Sequence, residues 1–171
     1  QPRDSYVGVS NGVLGGDGMK SLSELLQSGG VTAKVTCNVG INGDSSTVLF
    51  STATDEKQFW TTNDSSGIIE IALEGGGICP SSYAFAHGRS DTNYFMRNWD
   101  FDGWNGTDWI TLKSHRNDET VQGSKVLYKW EISADVTNGQ EFTRFRFACR
   151  GKNSSGCSHM FVKSLEIYPR R

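Results

Sequence analysis

From Val31 onward, apolar and polar residues alternate with a period of two. In VTAKVTCNV, Val31, Ala33, Val35, Cys37 and Val39 point one way and Thr32, Lys34, Thr36 and Asn38 the other, as in a strand with one buried face. INGDSS then reads as a turn, and TVLFSTA, KQFWTT and GIIEIAL follow as short extended segments. Ile69, Ile71 and Leu73 alternate with Glu70 and Ala72 before EGGG closes that run. SSYAFAH, MRNWDFDG, DWITLKS, VLYKWEIS, TRFRFACR and HMFVKSLEIYP complete the series. Only SLSELLQSGG breaks the period. Ser21 and Glu24 have capping-box spacing, Leu22, Leu25 and Leu26 share a face, and Gly29 with Gly30 ends the helix. Residues 1–20 hold five glycines and few large apolar groups, which predicts a flexible or extended arm ahead of one domain over 21–171.

Many short, regularly spaced strands and one short N-terminal helix predict an all-β antiparallel β-sandwich of jelly-roll type. A chain of 171 residues can close one substantial core. Nine Phe, five Trp and five Tyr supply its bulk, with Trp99, Phe101, Trp109, Trp130, Phe145, Phe147 and Tyr168 the expected core aromatics. Trp104 lies in the turn after MRNWDFDG, either as an anchor for a partner or folded over a sheet edge. Asp100 and Asp102 alternate outward on what reads as a solvated face.

A formal charge of −2 with no sustained basic run argues against a nucleic-acid surface, and no apolar run is long enough for membrane insertion. The chain starts QPR and reads as an excerpt of a larger protein. Its four cysteines, Cys37, Cys79, Cys149 and Cys157, are too sparse for a disulfide scaffold, and reduced thiols are expected. A Cys149–Cys157 bridge across a hairpin at CRGKNSSGC is the alternative, and with the sequons at Asn63, Asn105 and Asn153 it would suit a secreted, extracellular protein.

Strand parity locates the polar chemistry. If SSYAFAH runs up, it ends at His87 and Arg89; MRNWDFDG starts at that end with Arg97 and Asn98; DWITLKS returns to deliver His115, Arg116, Asn117 and Asp118; and TRFRFACR delivers the GKNSSG loop with Asn153. His87, Arg89, Arg97, Asn98, His115, Asn117 and Asn153 are therefore the candidate ligand-binding residues. Arg offers a planar fork and Asn both donor and acceptor, chemistry suited to peptides, carboxylates or sugar hydroxyls. The same residues could instead serve the fold, with Arg97 paired to Asp118, Asn98 and Asn117 holding turns, and His87 packed.

No reactive constellation emerges. No Ser or Cys stands in a nucleophile elbow, and GGDG and GGG lack the strand-then-helix setting of a phosphate cradle. Cys157 and His159 have no fourth zinc ligand in view. No cofactor is expected, although NGDSST and TNDSSG could offer calcium oxygen ligands as well as plain turns.

Residues 58 to 168, about two-thirds of the chain, resemble the discoidin-like, galactose-binding-type jelly roll found in some HECT-type ubiquitin ligases and BTB-containing proteins. FWTTNDSSGIIEIAL, PSSYAFAHG, MRNWDFDG, DWITLKSHRND, FTRFRF, GKNSSG and LEIYP carry the likeness, in order. GWNGTDW departs from it, being one residue shorter than the family's turn and containing Trp104, and Cys149 and Cys157 lie outside the pattern. The resemblance implies a non-enzymatic, cytoplasmic recognition module that binds a protein or peptide partner, with ubiquitin ligation as the parent activity. An extracellular carbohydrate-binding domain, with a glycan as ligand and calcium as a possible aid, is the alternative on the same fold.

Overall fold

The computed structural model describes residues 2–5, 21–29, 31–43, 59–88, 93–124 and 126–170. Their elements are β1 (Pro2–Ser5), α1 (Leu22–Gln27), β2 (Thr32–Cys37), β3 (Ile41–Gly43), β4 (Phe59–Thr61), β5 (Ile68–Glu74), β6 (Pro80–His87), β7 (Trp99–Trp104), β8 (Trp109–His115), β9 (Val126–Glu131), α2 (Ala134–Thr137), β10 (Arg144–Cys149) and β11 (Phe161–Pro169). A six-stranded sheet of order β1-β9-β6-β11-β4-β3 faces a five-stranded sheet of order β2-β5-β10-β7-β8. Every pair of neighbouring strands is antiparallel. This is the predicted β-sandwich. The segments TVLFSTA and Arg89 lie outside the described residues.

The period-two pattern works as it reads. Ile69, Ile71 and Leu73 of β5 are buried on the inner face of the five-stranded sheet, beside Phe145 and Phe147 of β10 and, one strand further, Trp99 and Phe101 of β7. Tyr83 from the opposite sheet stacks on Phe101 with ring centroids 4.2 Å apart, and Phe101 lies parallel to Phe145 at 5.6 Å. Gly103 takes the next inward place on β7, where a Cβ would stand 2.7 Å from the Phe142 ring. Any side chain there must displace a packed aromatic.

Ser21 caps α1 by accepting from the Glu24 amide, and Gly29 at φ +80 ends it. α1 packs on β11, where the buried Glu166 carboxylate accepts from the Ser23 amide at 3.0 Å and bonds the Ser23 hydroxyl. Burial pushes the Glu166 carboxyl up to about 7, against the pull of those hydrogen bonds. Helix α2 was not expected. It is a single turn capped by Ser133 and ended by Asn138 at φ 49, too short to show a helical period.

Four local readings change. Residues 41–43, expected in a turn, pair with β4 as a short edge strand. CRGKNSSGC is no hairpin, because β10 and β11 belong to different sheets and the segment crosses between them. Trp109 is half-buried on the outer face of the five-stranded sheet, since it stands opposite Trp104, an outward residue of β7. Asp100 and Asp102 face outward but are buried, at 6% and 1% exposure, beneath arginines from β10 and the loops.

Candidate functional site

One end of the sandwich, the rim, is built by the chain that follows β6, precedes β7, follows β8 and links β10 to β11. The structure brings His87, Asn98, His115 and Asn153 together there, with Arg97 and Asn117 beside them. The hydrogen bonds show what each does.

His115 roots the rim in the core. Its ring stacks on Trp99, with centroids 3.7 Å apart and an interplanar angle of 9°. Nδ1–H donates to the Asp118 carboxylate at 2.7 Å, Nε2 accepts from the Tyr83 hydroxyl, and the Trp99 indole N–H donates to the same hydroxyl at 3.3 Å. Burial lowers the imidazole from 6.5 to about 4 although Asp118 pulls it upward, so His115 is neutral at pH 7. Burial acts on Asp118 in the opposite sense, but hydrogen bonds from Thr120 and His115 outweigh it and hold that carboxyl below its ordinary value. An Asp–His–Tyr chain thus crosses from one sheet to the other. Its members are buried or half-buried, and its capacity is used within the protein.

The asparagines bind loop to loop. Asn98 donates to the Lys152 carbonyl at 2.9 Å and accepts from the Asn117 amide at 2.8 Å. Gly151 permits that contact, because a Cβ there would stand 2.9 Å from Asn98 Cβ. Asn117 holds a left-handed φ of 50, a conformation that asparagine tolerates, and leaves its side chain exposed. Asn153, only 8% exposed, accepts from the Ser155 and Cys157 amides and donates to the His159 carbonyl at 3.1 Å. Asn63 reaches in from the β4–β5 turn to accept from the Ser158 amide at 2.8 Å. The Arg97 guanidinium donates to the Val121 carbonyl at 2.8 Å, so the Asp118 carboxylate pairs with His115, while the Asp118 amide donates to the Arg97 carbonyl at 2.9 Å. His87 is fully buried, donates to the Asn93 carbonyl at 3.0 Å and packs against Phe95.

The outward surface joins the exposed Asn117 and Arg116, which strand parity places at this end, to residues outside the candidate set. Tyr94 adopts a φ of 65, rare for a bulky side chain, while the Ser155 and Ser154 hydroxyls accept from the amides of Tyr94 and Phe95, each at 2.9 Å. Its ring meets His159 and Phe161 at 5.8 and 5.0 Å, and Trp60 stacks on Phe161 at 5.5 Å. Arg116 has half of its side chain exposed while it donates to Asp100 at 2.8 Å, and Lys152 is exposed. The available signal was an aromatic in DTNYF, outside any alternating run.

All four cysteines are free thiols. Among the described residues no three His, Cys, Asp or Glu side chains converge as a metal site, and no helix is long and apolar enough to cross a membrane. Asp64 in TNDSSG accepts from the Ser66 amide and hydroxyl, the arrangement of a plain turn. NGDSST falls largely outside the described residues.

No family model matches the chain. The E3 ubiquitin-protein ligase hecd-1 of Caenorhabditis elegans is 30% identical over 110 residues, 63% of this chain, and the chain spans only 4% of that relative's length. Among solved structures, the family 32 carbohydrate-binding module from C. perfringens NanJ, in complex with galactose, has a TM-score of 0.58 at 13% identity, over 81% of this chain and 93% of that one. A histidine mutant of the lectin binding domain of Lectinolysin, complexed with Lewis b, reaches 0.62 at 10% identity, over 81% and 92%. The corresponding module of AlyQ, in complex with 4,5-unsaturated mannuronic acid, reaches 0.56 at 14% identity, over 79% and 93%. The chain has the discoidin-like, galactose-binding-type jelly-roll fold.

Proposed function

We propose that the chain is a non-catalytic recognition module that binds a protein or peptide partner through the rim, inside a larger cytoplasmic protein of the ubiquitin-ligase kind. The observation that carries this reading is the bonding of the rim loops to one another through Asn63, Asn98 and Asn153, which holds an interaction surface in shape before a partner arrives. Arg116, Asn117, Lys152, Tyr94 and His159 stand outward on it, loop residues on a rigid scaffold. The four free thiols agree with a reducing compartment, and the sequence likeness to a ubiquitin-protein ligase agrees with the parent.

A glycan is the second reading. The half-buried aromatics Trp60 and Tyr94 beside Phe161 could stack on a sugar ring, and several neighbours in fold were solved with sugars bound. A protein partner is favoured because His87, Asn98, His115 and Asn153, the groups best suited to sugar hydroxyls, make their hydrogen bonds internally. Asn153 also has its amide nitrogen engaged, which removes one acceptor from the secreted alternative.

The test places a photo-crosslinking amino acid at position 152 on the rim or at position 107 in the β7–β8 turn at the opposite end. Discrete protein adducts from position 152 alone, persisting in excess galactose, are expected. Equal adducts from both positions would refute the rim, and adducts abolished by galactose would favour the glycan.

A further inference from the structure

Where the rim meets the outer face of the five-stranded sheet, two arginines share one carboxylate. Arg116, from the loop after β8, donates from Nη1 to Asp100 Oδ1 at 2.8 Å and from Nη2 to Oδ2 at 3.4 Å. Arg150, from the loop after β10, donates from Nε to that same Oδ2 at 3.0 Å. Burial opposes a charge on Asp100, but bonds from Arg116, Ser114 and Arg150 hold its carboxyl below the ordinary value, so it is ionised. One negative charge therefore stands between two positive ones. Among the described residues no second carboxylate pairs with either arginine, and the neighbouring Asp118 is engaged by His115 and Thr120.

Both guanidiniums keep donors unused. Arg116 meets Asp100 end-on, through Nη1 and Nη2, and Nη1 also donates to the His115 carbonyl at 2.8 Å. Its Nε–Nη2 edge stays open, because Nε makes no hydrogen bond among the described residues. Arg144 shows what such an edge fits: through it that residue holds both oxygens of Glu70, at 2.7 and 3.1 Å. In Arg150, Nε and Nη1 hold Asp100 and the Cys149 carbonyl, and Nη2 has no partner among the described residues. Half of the Arg116 side chain and 38% of the Arg150 side chain are exposed. Asn98 fixes the two loops side by side: its carbonyl accepts from the Arg150 amide at 3.0 Å and its side chain from the Asn117 amide at 2.8 Å. The pair is thus set in place before any ligand reaches it.

We infer, on the premise that the rim docks a protein, that the open edge of Arg116, beside Arg150, receives a carboxylate of that partner. Charge and shape select the group. One positive charge is left uncompensated at Asp100, and two parallel N–H donors on one edge match the two oxygens of a planar carboxylate. A guanidinium is always charged and weakly hydrated, so little water has to leave when the carboxylate arrives. With Asp100 fixed beneath, the incoming group completes a set of two guanidiniums and two carboxylates. An acidic side chain and a chain end carry the same group, and both fit the edge.

The probes are N-acetylglutamate α-amide, whose carboxylate is a side chain, and N-acetylalanine, whose carboxylate is a chain end. N-acetylglutamine α-amide is the uncharged control. Guanidinium NMR resonances read both affinity and place. Saturable shifts at Arg116 and Arg150 with the carboxylates and none with the control are expected, while Arg144, closed on Glu70, stays still. The tighter carboxylate names the source. Arg116→Lys keeps the charge but loses the fork, and should bind about ten-fold more weakly with the Arg144 resonance unchanged as evidence of folding. Adducts crosslinked from position 152 should fall several-fold in the same variant. Equal shifts from the control, or tighter binding of inorganic phosphate at matched ionic strength, would overturn the inference. Full adduct yield in Arg116→Lys would refute it and leave the rim reading standing, whereas no adducts from the wild-type chain would remove the rim reading itself.

Discussion

The rim and the outer face of the five-stranded sheet are both rich in polar side chains, and they use them differently. On the rim, Asn98, Asn153, His87 and His115 turn inward and fasten one loop to the next or to the core. On the sheet face, arginines reach across strands to carboxylates and keep part of their forks toward solvent, with 39% of the Arg144 side chain exposed. A cluster of polar residues in a sequence thus marks recognition chemistry only where its hydrogen-bonding capacity stays unused. The rim uses most of its polar groups within the fold, and the sheet face keeps part of its arginine forks in solvent.

The contrast breaks most visibly at His115. His115→Ala removes the stack on Trp99, leaves the buried Tyr83 O–H without its acceptor and releases Asp118. A loss of about 3–5 kcal/mol in urea unfolding is expected. A cost below about 1 kcal/mol would mean that the rim does not rest on this residue.

A second effect, of about 3 kcal/mol, is read from pH. The pKa of His115 falls from 6.5 to about 4 on folding, so its stabilising share is complete above 6.5 and is lost as pH drops toward 4. The pKa of Glu166 rises from 4.5 to about 7, so its share is complete below 4.5 and is lost as pH climbs through 7. The two slopes oppose each other between about 4.5 and 6.5 and nearly cancel. Glu166→Gln should therefore make stability rise with pH across that window, and His115→Gln should make it fall. Parallel profiles for the two variants would disprove the assignment.

Smaller differences sharpen the comparison. Asn98→Ala should cost about 1–2 kcal/mol and speed amide exchange in both the 116–120 and 150–160 loops, because one side chain bonds both. Arg144→Gln on the sheet face, a partly exposed ion pair, should cost under about 1 kcal/mol and leave neighbouring strands unchanged. Equal costs would erase the distinction between the two regions.

The strands were legible because one face of each is buried: Ile69, Ile71 and Leu73 alternate as plainly in sequence as in space. The convergence of four chain segments on one end followed from strand parity alone. Accessibility was not legible. Asp100 looks solvated in one dimension, but Arg116, Ser114 and Arg150 close over it, and their hydrogen bonds outweigh burial and hold its carboxyl below the ordinary value. Trp109 was assigned to the core by its bulk, and only the register opposite Trp104 shows that it faces outward. Asn98 and Asn153 could equally have faced a ligand or a neighbouring loop, because one asparagine chemistry serves both. That choice depends on loops meeting across long separations, 54 residues for the Asn98–Lys152 bond, which no local pattern encodes.

The most direct test compares partner recovery by the wild-type chain with recovery by Arg116→Ala/Lys152→Ala, two outward changes that leave Asp100 paired with Arg150. The double variant should melt within about 3 °C of wild type and lose most of the partner crosslinked at the rim. Undiminished recovery at an unchanged melting temperature would contradict recognition through the rim.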